Sequence, residues 1–249
     1  MQLVKIIFGN IWRLWFFTQA VILFFLFFPF HLLTLFLSKA PHHITFKLMR
    51  INCKLILWCA GIFPKVKYEF VPDKNKTYVI CPNHTSYLDI LMTYVAIGNY
   101  FHFMGKAELE DVPFFNIFFK RMNIGVNRAS KTASHKAYLR AINDLQSGVS
   151  IAIFPEATIP ECTPEIGKFK NGAFKLAVEN KVEIIPITYH KNYRLLPDTK
   201  NYKYLGGKPG IAPVTVHKPI NSIDFSDDNL EQLKDTYRSV IKNALENIE

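Results

Sequence analysis

The chain has few cysteines, and they fall into no pattern. Cys53, Cys59, Cys81 and Cys162 make no C-x-x-C pair and no zinc-ligand spacing. That excludes a disulfide scaffold and a zinc ribbon, and it fits free thiols in a reducing compartment. Internal repeats and low-complexity tracts are missing, which removes solenoids and linker arrays. P-loop, finger and RNP-type aromatic motifs are missing as well, so the usual nucleic-acid modules do not fit. Acid is scarce: 20 Asp and Glu stand against 30 Lys and Arg, a net charge of +10. Such a surface seeks an anionic partner: nucleic acid, a phosphate-bearing substrate or the inner face of a membrane. Charge is lacking altogether from Leu14 to Ser38, between Arg13 and Lys39. A signal peptide does not explain this run, which is too long and lacks an A-x-A-like cleavage site after it.

Aromatic residues fill that uncharged run. Eight of the 22 phenylalanines lie between Phe16 and Phe36. The run exceeds the roughly 20 residues that cross a bilayer core. Pro29 divides it, so it either crosses once with a kink or dips in and returns. A second apolar element, about residues 44–62, repeats Leu48, Ile51, Leu55 and Trp58 at helical spacing. Its other face carries Lys47, Arg50 and Lys54, which suits the membrane interface or a core-packing helix. Positive charge is heavier after the run than before it, which places the rest of the chain on the cytoplasmic side.

After Pro64 the pattern changes. Strands are expected at residues 66–71, 77–81, 101–104, 149–154, 184–189 and 214–217. Helices are expected at 87–97, 131–146, 172–180 and from the Ser226 cap to about 247. This alternation predicts an α/β fold with a mostly parallel central sheet flanked by helices. The expected organisation is a membrane-embedded helical motif at residues 1–63 followed by an α/β domain at 64–249.

Two segments can carry chemistry. Asn83-His84-Thr85-Ser86-Tyr87-Leu88-Asp89 leaves an apolar strand and enters a helix, where α/β proteins place reactive groups. Asp89 on the first turn can reach back to the His84 imidazole, leaving the other ring nitrogen to take a proton. Asn83 and Ser86 would support the turn, Ser86 as a helix cap. Phe154-Pro155-Glu156-Ala157-Thr158 ends the most apolar strand, and a Glu there needs a partner. Other arrangements are weaker. Gly148-Val149-Ser150-Ile151-Ala152 approximates G-x-S-x-G, but its serine starts a strand. Ser86 or Cys81 beside His84 is a possible covalent nucleophile. His84 and Asp89 lack a third clustered metal ligand.

Asn83-His84-x-Ser86-x-x-Asp89, Arg128, Phe154-Pro155-Glu156-x-Thr158 and Ile184-Ile185-Pro186 occur in this order. Lys106-x-Glu108-Leu109 with Pro113, and Phe169-Lys170-x-Gly172-Ala173-Phe174, accompany them. The set resembles the glycerolipid acyltransferase family of bacterial 1-acylglycerol-3-phosphate acyltransferases, over about residues 65–188. The resemblance implies an enzyme that moves a fatty acyl group from acyl-CoA or acyl carrier protein to a lysolipid hydroxyl. Lysophosphatidic acid is the favoured acceptor, with another lysophospholipid or a lyso-aminolipid as the alternative. No bound cofactor, metal or nucleic acid is implied; the partners are membrane lipids, the lysolipid and, where it is the donor, acyl carrier protein. His84 would be the general base, held by Asp89, with amides at the opening of the helix available to the oxyanion. Lys106, Arg128, Glu156, Thr158 and Lys168 would serve the acceptor. Two departures stand out. Ala157 occupies the place of a usual glycine, which implies an ordinary backbone there. Ile159-Pro160 replaces a common arginine, so Arg128, Lys168 or Lys170 would have to compensate. A passive, basic membrane-surface protein is the reading from another class, and it leaves the ordered blocks unexplained.

Overall fold

A computed structural model of the chain describes residues 2–37, 41–198 and 206–247. Ser38 and Lys39, which close the uncharged run, lie outside the described residues. The first helix, α1 (Gln2–Leu37), continues unbroken through Pro29. The expected division of the run is therefore corrected. Proline removes one backbone donor and crowds the preceding turn, but Pro29 sits on the exposed side, where nothing packs against the distortion. An apolar helix this long keeps its remaining backbone bonds on either side of one lost link.

One face of α1 packs on the body of the protein. Phe16 and Leu35 are buried, and Gln19 donates to the Ile56 carbonyl. The indoles of Trp12 and Trp15 donate to the carbonyls of Ala60 and Cys59, the end of α2 (His43–Cys59). Gly9 lies against Gly206 and Gly207, where an added Cβ would meet backbone at 3.1 Å. That close approach explains the glycine. The opposite face of α1 exposes Phe8, Ile11, Leu14, Ile22, Leu26, Phe30 and Leu33 along its length.

The body is built on one seven-stranded sheet. Its strands are β1 (Ile62–Tyr68), β2 (Val79–Pro82), β3 (Phe101–Lys106), β4 (Ile124–Val126), β5 (Ser150–Ile153), β6 (Ile184–Tyr189) and β7 (Gly210–Val216). The spatial order is β1-β7-β6-β2-β5-β3-β4. From β6 to β4 every neighbouring pair is parallel; β7 runs against β6 and carries β1 with it. Parallel strands need cover on both faces, and the central ones, β2 and β6, are buried throughout. On one face lie α1, α2 and α3 (Leu88–Ala96), through Phe46, Leu57, Leu88 and Met92. On the other lie α5 (Lys131–Gln146), α6 (Gly172–Asn180) and α8 (Leu230–Glu246), through Ala141, Phe174, Leu233 and Tyr237. The short helices α4 (Asn116–Arg121) and α7 (Asn192–Leu195) close the ends of β3 and β6.

The core does not stop at residue 63. Phe16, Phe46 and Leu57 belong to the same buried cluster as Ile80, Ile185 and Val214. The boundary between residues 63 and 64 falls inside β1, so a cut there would divide an edge strand and uncover that core.

Candidate active site

The carboxyl ends of β2, β5, β3 and β4 lie side by side at one edge of the sheet, where the strand order leaves β2 in both directions. This is the crevice in which open α/β sheets bind ligands. The turn after β2 begins at Asn83, whose amide Nδ2 donates to the Tyr189 carbonyl while its Oδ1 accepts from the Tyr189 amide at 2.7 Å. The pair pins the end of β2 to the end of β6.

His84 follows. Its Nδ1 is 3.0 Å from Asp89 Oδ2. Its ring stacks on Phe154 with centroids 4.0 Å apart and planes 19° from parallel. Two independent restraints therefore fix the imidazole, one in its plane and one across it. Among the described residues its Nε2 has no hydrogen-bond partner, and the side chain is 13% exposed.

Asp89 is fully buried and is the centre of the turn. Oδ2 accepts from the Thr85 amide at 2.5 Å and the Ser86 amide at 2.8 Å, besides facing His84. Oδ1 accepts from Asn192 Nδ2 at 2.7 Å. A carboxylate lacking water needs such donors, since an unpaired buried charge is prohibitively costly. Asn192, on α7 and fully buried, is the residue that sequence reasoning missed. Its distance of 103 positions from Asp89 leaves no local signal.

The turn corrects one expectation and narrows another. The helix begins at Leu88, and Ser86 is not its formal cap; its Oγ accepts from the Leu88 amide and donates to the Leu196 carbonyl at 2.6 Å. Asp89 satisfies the leading amides instead. Most of those amides are not available to an oxyanion: Thr85 and Ser86 are bound to Asp89, Leu88 to Ser86, and the His84 amide to Glu156, which leaves the Tyr87 amide. Covalent alternatives find no geometric support. Ser86 is buried with its hydroxyl committed to Leu196. Burial pushes the Cys81 thiol up, away from the thiolate. Ser150 starts β5, at the opposite end of the sheet from His84, and its Oγ accepts from the Tyr78 amide.

Glu156, after β5, is 6% exposed. Oε1 accepts from the His84 amide at 2.9 Å and Oε2 from the Gly167 amide at 2.8 Å. Burial pushes its carboxyl above the ordinary range, and the two amides pull the other way. Glu156 therefore clamps the His84 turn to the loop that follows Pro160. Ala157 takes φ of 66°, the left-handed region, and its amide donates to the Phe154 carbonyl. The expectation of an ordinary backbone is corrected. The clamp on Glu156 and the tight turn at Phe154 dictate the conformation, and alanine bears the local cost. Thr158 is exposed beside it.

Lys106 ends β3, and Arg128 follows β4; both are exposed, and among the described residues neither side chain makes a hydrogen bond or ion pair. Strands lie about 4.8 Å apart, so these positions are two and three strands from His84, about 10 and 14 Å. They leave two free cations along the edge that holds His84. Lys168 is not among them. It is exposed and lines a cleft against α8 with Glu231, Lys234, Asp235 and Arg238. Among the described residues there is no cluster of three His, Cys, Asp or Glu that could hold a metal.

Known proteins resemble this chain in sequence and in fold. The family model described as acyltransferase matches residues 64–190, about half of the chain. The 1-acyl-sn-glycerol-3-phosphate acyltransferase of Borreliella burgdorferi is 31% identical over 207 residues, 82% of this chain and 80% of that protein. The chloroplastic 1-acyl-sn-glycerol-3-phosphate acyltransferase LPAT1 of Arabidopsis thaliana is 28% identical over 177 residues, 66% of this chain but 47% of the relative. The chain thus spans about half the length of the plant protein. Among solved structures, the 1-acyl-sn-glycerophosphate acyltransferase PlsC of Thermotoga maritima superposes with a TM-score of 0.78 over 96% of this chain and 95% of that one, at 22% identity. At that identity the likeness concerns the fold.

Proposed function

The chain belongs to the acyltransferase family, and from that premise we propose that it esterifies the free hydroxyl of 1-acylglycerol-3-phosphate, giving phosphatidic acid. The observation that carries the mechanism is the His84–Asp89 pair, with Nδ1 held and Nε2 open. Asp89 fixes the tautomer in which Nδ1 carries hydrogen. Nε2 takes the proton of the acceptor hydroxyl as its oxygen attacks the thioester carbonyl. The tetrahedral intermediate collapses, the C–S bond breaks, and the departing sulfur recovers the proton from His84. No acyl-enzyme is formed. Phe154 keeps the ring from swinging away. A positioned base of this kind contributes about 10²–10⁴-fold in rate.

Lys106 and Arg128 are the residues we assign to the acceptor phosphate. Both are unpaired cations on the edge that carries His84, and a phosphomonoester is a strong acceptor for such groups. Glu156 shapes the turn, Thr158 lies at the rim, and Asn83 and Ser86 support the loop.

Membrane association follows from α1. The body of the protein covers one face from Gly9 to Leu35, about 40 Å of helix at 1.5 Å per residue. A helix crossing perpendicular to the bilayer would carry the sheet's loops into hydrocarbon, where their backbone groups have no partners. We infer that α1 lies along one leaflet with its exposed apolar face in lipid. Trp15 and Trp58 sit at the same surface, 51% and 56% exposed. We take the body to lie on the cytoplasmic side, where the anionic leaflet would attract its excess of Lys and Arg.

The test is product identification. Purified protein in vesicles is offered labelled acyl donor with lysophosphatidic acid, lysophosphatidylcholine, lysophosphatidylethanolamine and a lyso-aminolipid. Phosphatidic acid as the dominant product upholds the acceptor; preference for another lysolipid overturns it and leaves the His84 chemistry standing.

A further inference from the structure

We propose that a second cleft, on the sheet face opposite the lipid-facing helices, binds the phosphorylated nucleoside end of a thioester donor. The cleft holds about 590 Å³ between α8, the loop at residues 164–166 and the chain after β6. That volume lies in the range of sites for small organic ligands. The proposal rests on the acyl-transfer reading for the meaning of its ligand, but not for the existence of the site.

His190 carries the argument. It is 8% exposed and lines the cleft, and its Nδ1 is buried with no hydrogen-bond partner. Its other nitrogen, Nε2, lies 2.9 Å from Thr215 Oγ1. A buried imidazole nitrogen left unmatched costs about 1–3 kcal/mol, and a bound polar group would remove that cost. With the Thr215 hydroxyl donating to Nε2, Nδ1–H is left as a donor without a partner at the wall of the cleft.

The rest of the lining fits a base and its phosphates. Tyr193, Ile166 and Leu245 offer flat and apolar surface for a purine. Arg238 and Lys242 supply cations. Glu246 pairs with Lys242 at 3.7 Å and Glu165 stands at the rim. Protonation of His190 is depressed first by burial and then by His217, Lys191 and Lys67, and the two lysines tip the local balance back to positive. The position suits a water-soluble ligand. β6 and β2 are neighbours, and their register puts Tyr189 level with His84. Side chains at successive positions then face opposite sides: Tyr189 joins the core under α3, and His190 faces the α8 side. A flexible thioester arm that passes over the strand ends would thus join the two sites. The helix α7 links them as well, with Asn192 on Asp89 and Tyr193 in the cleft.

The experiment uses the full chain in detergent with 3′,5′-ADP as the probe. Binding is measured by calorimetry for wild type, Tyr193→Ala, Lys242→Glu and the remote charge control Lys136→Glu. Initial rates are measured in parallel with acyl-CoA and with the matching acyl-pantetheine, which lacks the nucleotide. The expected result is probe binding by wild type and Lys136→Glu, weakened about tenfold or more in each cleft variant. KM for acyl-CoA should rise by the same factor, with acyl-pantetheine rates unchanged. Absence of probe binding by wild type would overturn the proposal. So would equal losses with both donors, or transfer from acyl carrier protein alone. Cleft-dependent probe binding in a protein that acylates no lysolipid would uphold the cleft and overturn the acyl-transfer reading.

Discussion

Replacing Asp89 with asparagine isolates the charge of the dyad from its geometry. In Asp89→Asn the carboxamide oxygen must occupy the Oδ2 position, because the Thr85 and Ser86 amides both donate there. That oxygen also faces His84 Nδ1, so the tautomer is retained and Nε2 remains a base. The introduced amide nitrogen falls opposite Asn192 Nδ2, two donors face to face. Asn192 can rotate its own amide, because its Oδ1 is buried without a partner and would accept from that nitrogen. The bonds to Thr85, Ser86 and His84 then change from charge-assisted to neutral. A charge-assisted bond contributes about 1.5–3 kcal/mol against about 1 for a neutral one, so the three together should cost the fold about 1.5–6 kcal/mol. The imidazolium formed during reaction loses the same charged partner. At 1.36 kcal/mol per decade, a loss of about 1.5–3 kcal/mol is about 10- to 150-fold in kcat. KM for both substrates should hold, since Asp89 touches neither. The assay is initial rate in detergent micelles, with folding checked by thermal melting at the assay temperature. An Asp89→Asn enzyme that turns over within about twofold of wild type would refute the role of the carboxylate.

Asn192→Ala should reduce kcat by a smaller factor, about tenfold, because one Asp89 oxygen loses its donor; an unaltered pH–rate profile and kcat would make the residue purely structural. Ala157→Gly should keep activity and a melting temperature at or above wild type, while Ala157→Val should lose about 1–2 kcal/mol in a denaturant titration, because the left-handed backbone penalises a branched side chain. Glu156 gives a pH signature. Its carboxyl is raised above the ordinary 4.5 mainly by burial, so its contribution is fully present below the unfolded value and is lost as pH rises through the folded one. The stability of wild type relative to Glu156→Gln should therefore fall as pH rises above about 4.5, as read from paired denaturation midpoints. Arg128→Ala should raise KM for a phosphate-bearing acceptor with little change in kcat; an unchanged KM would remove it from the acceptor site.

Much of the fold was legible because its periodicities are clean. The elements at 131–146, 172–180 and 184–189 agree with the expected bounds. Ser130 caps the first of these, accepting from the Ala133 amide, and Gly148 lies in the turn that follows it. β4 was not legible: three residues carry no alternation, and pairing with β3 alone makes it a strand. The continuity of α1 through Pro29 depends on which side the proline faces, which composition does not reveal. His84 and Asp89 were readable because both lie in one turn. The Asn192 contact and the Glu156 clamp join distant segments, so only the folded sheet brings them together. The left-handed Ala157 was hidden for a related reason: its conformation is imposed by hydrogen bonds around it rather than by its own preference.

The most direct test of the account is the rate of acyl transfer by purified His84→Ala beside wild type, at saturating donor and acceptor, with equal melting temperatures confirmed. Loss of the base predicts a fall of about 10²–10⁴-fold in kcat, with no acyl group attached to either protein by intact mass. A His84→Ala enzyme of undiminished rate, or a covalent acyl adduct on wild type, would contradict it.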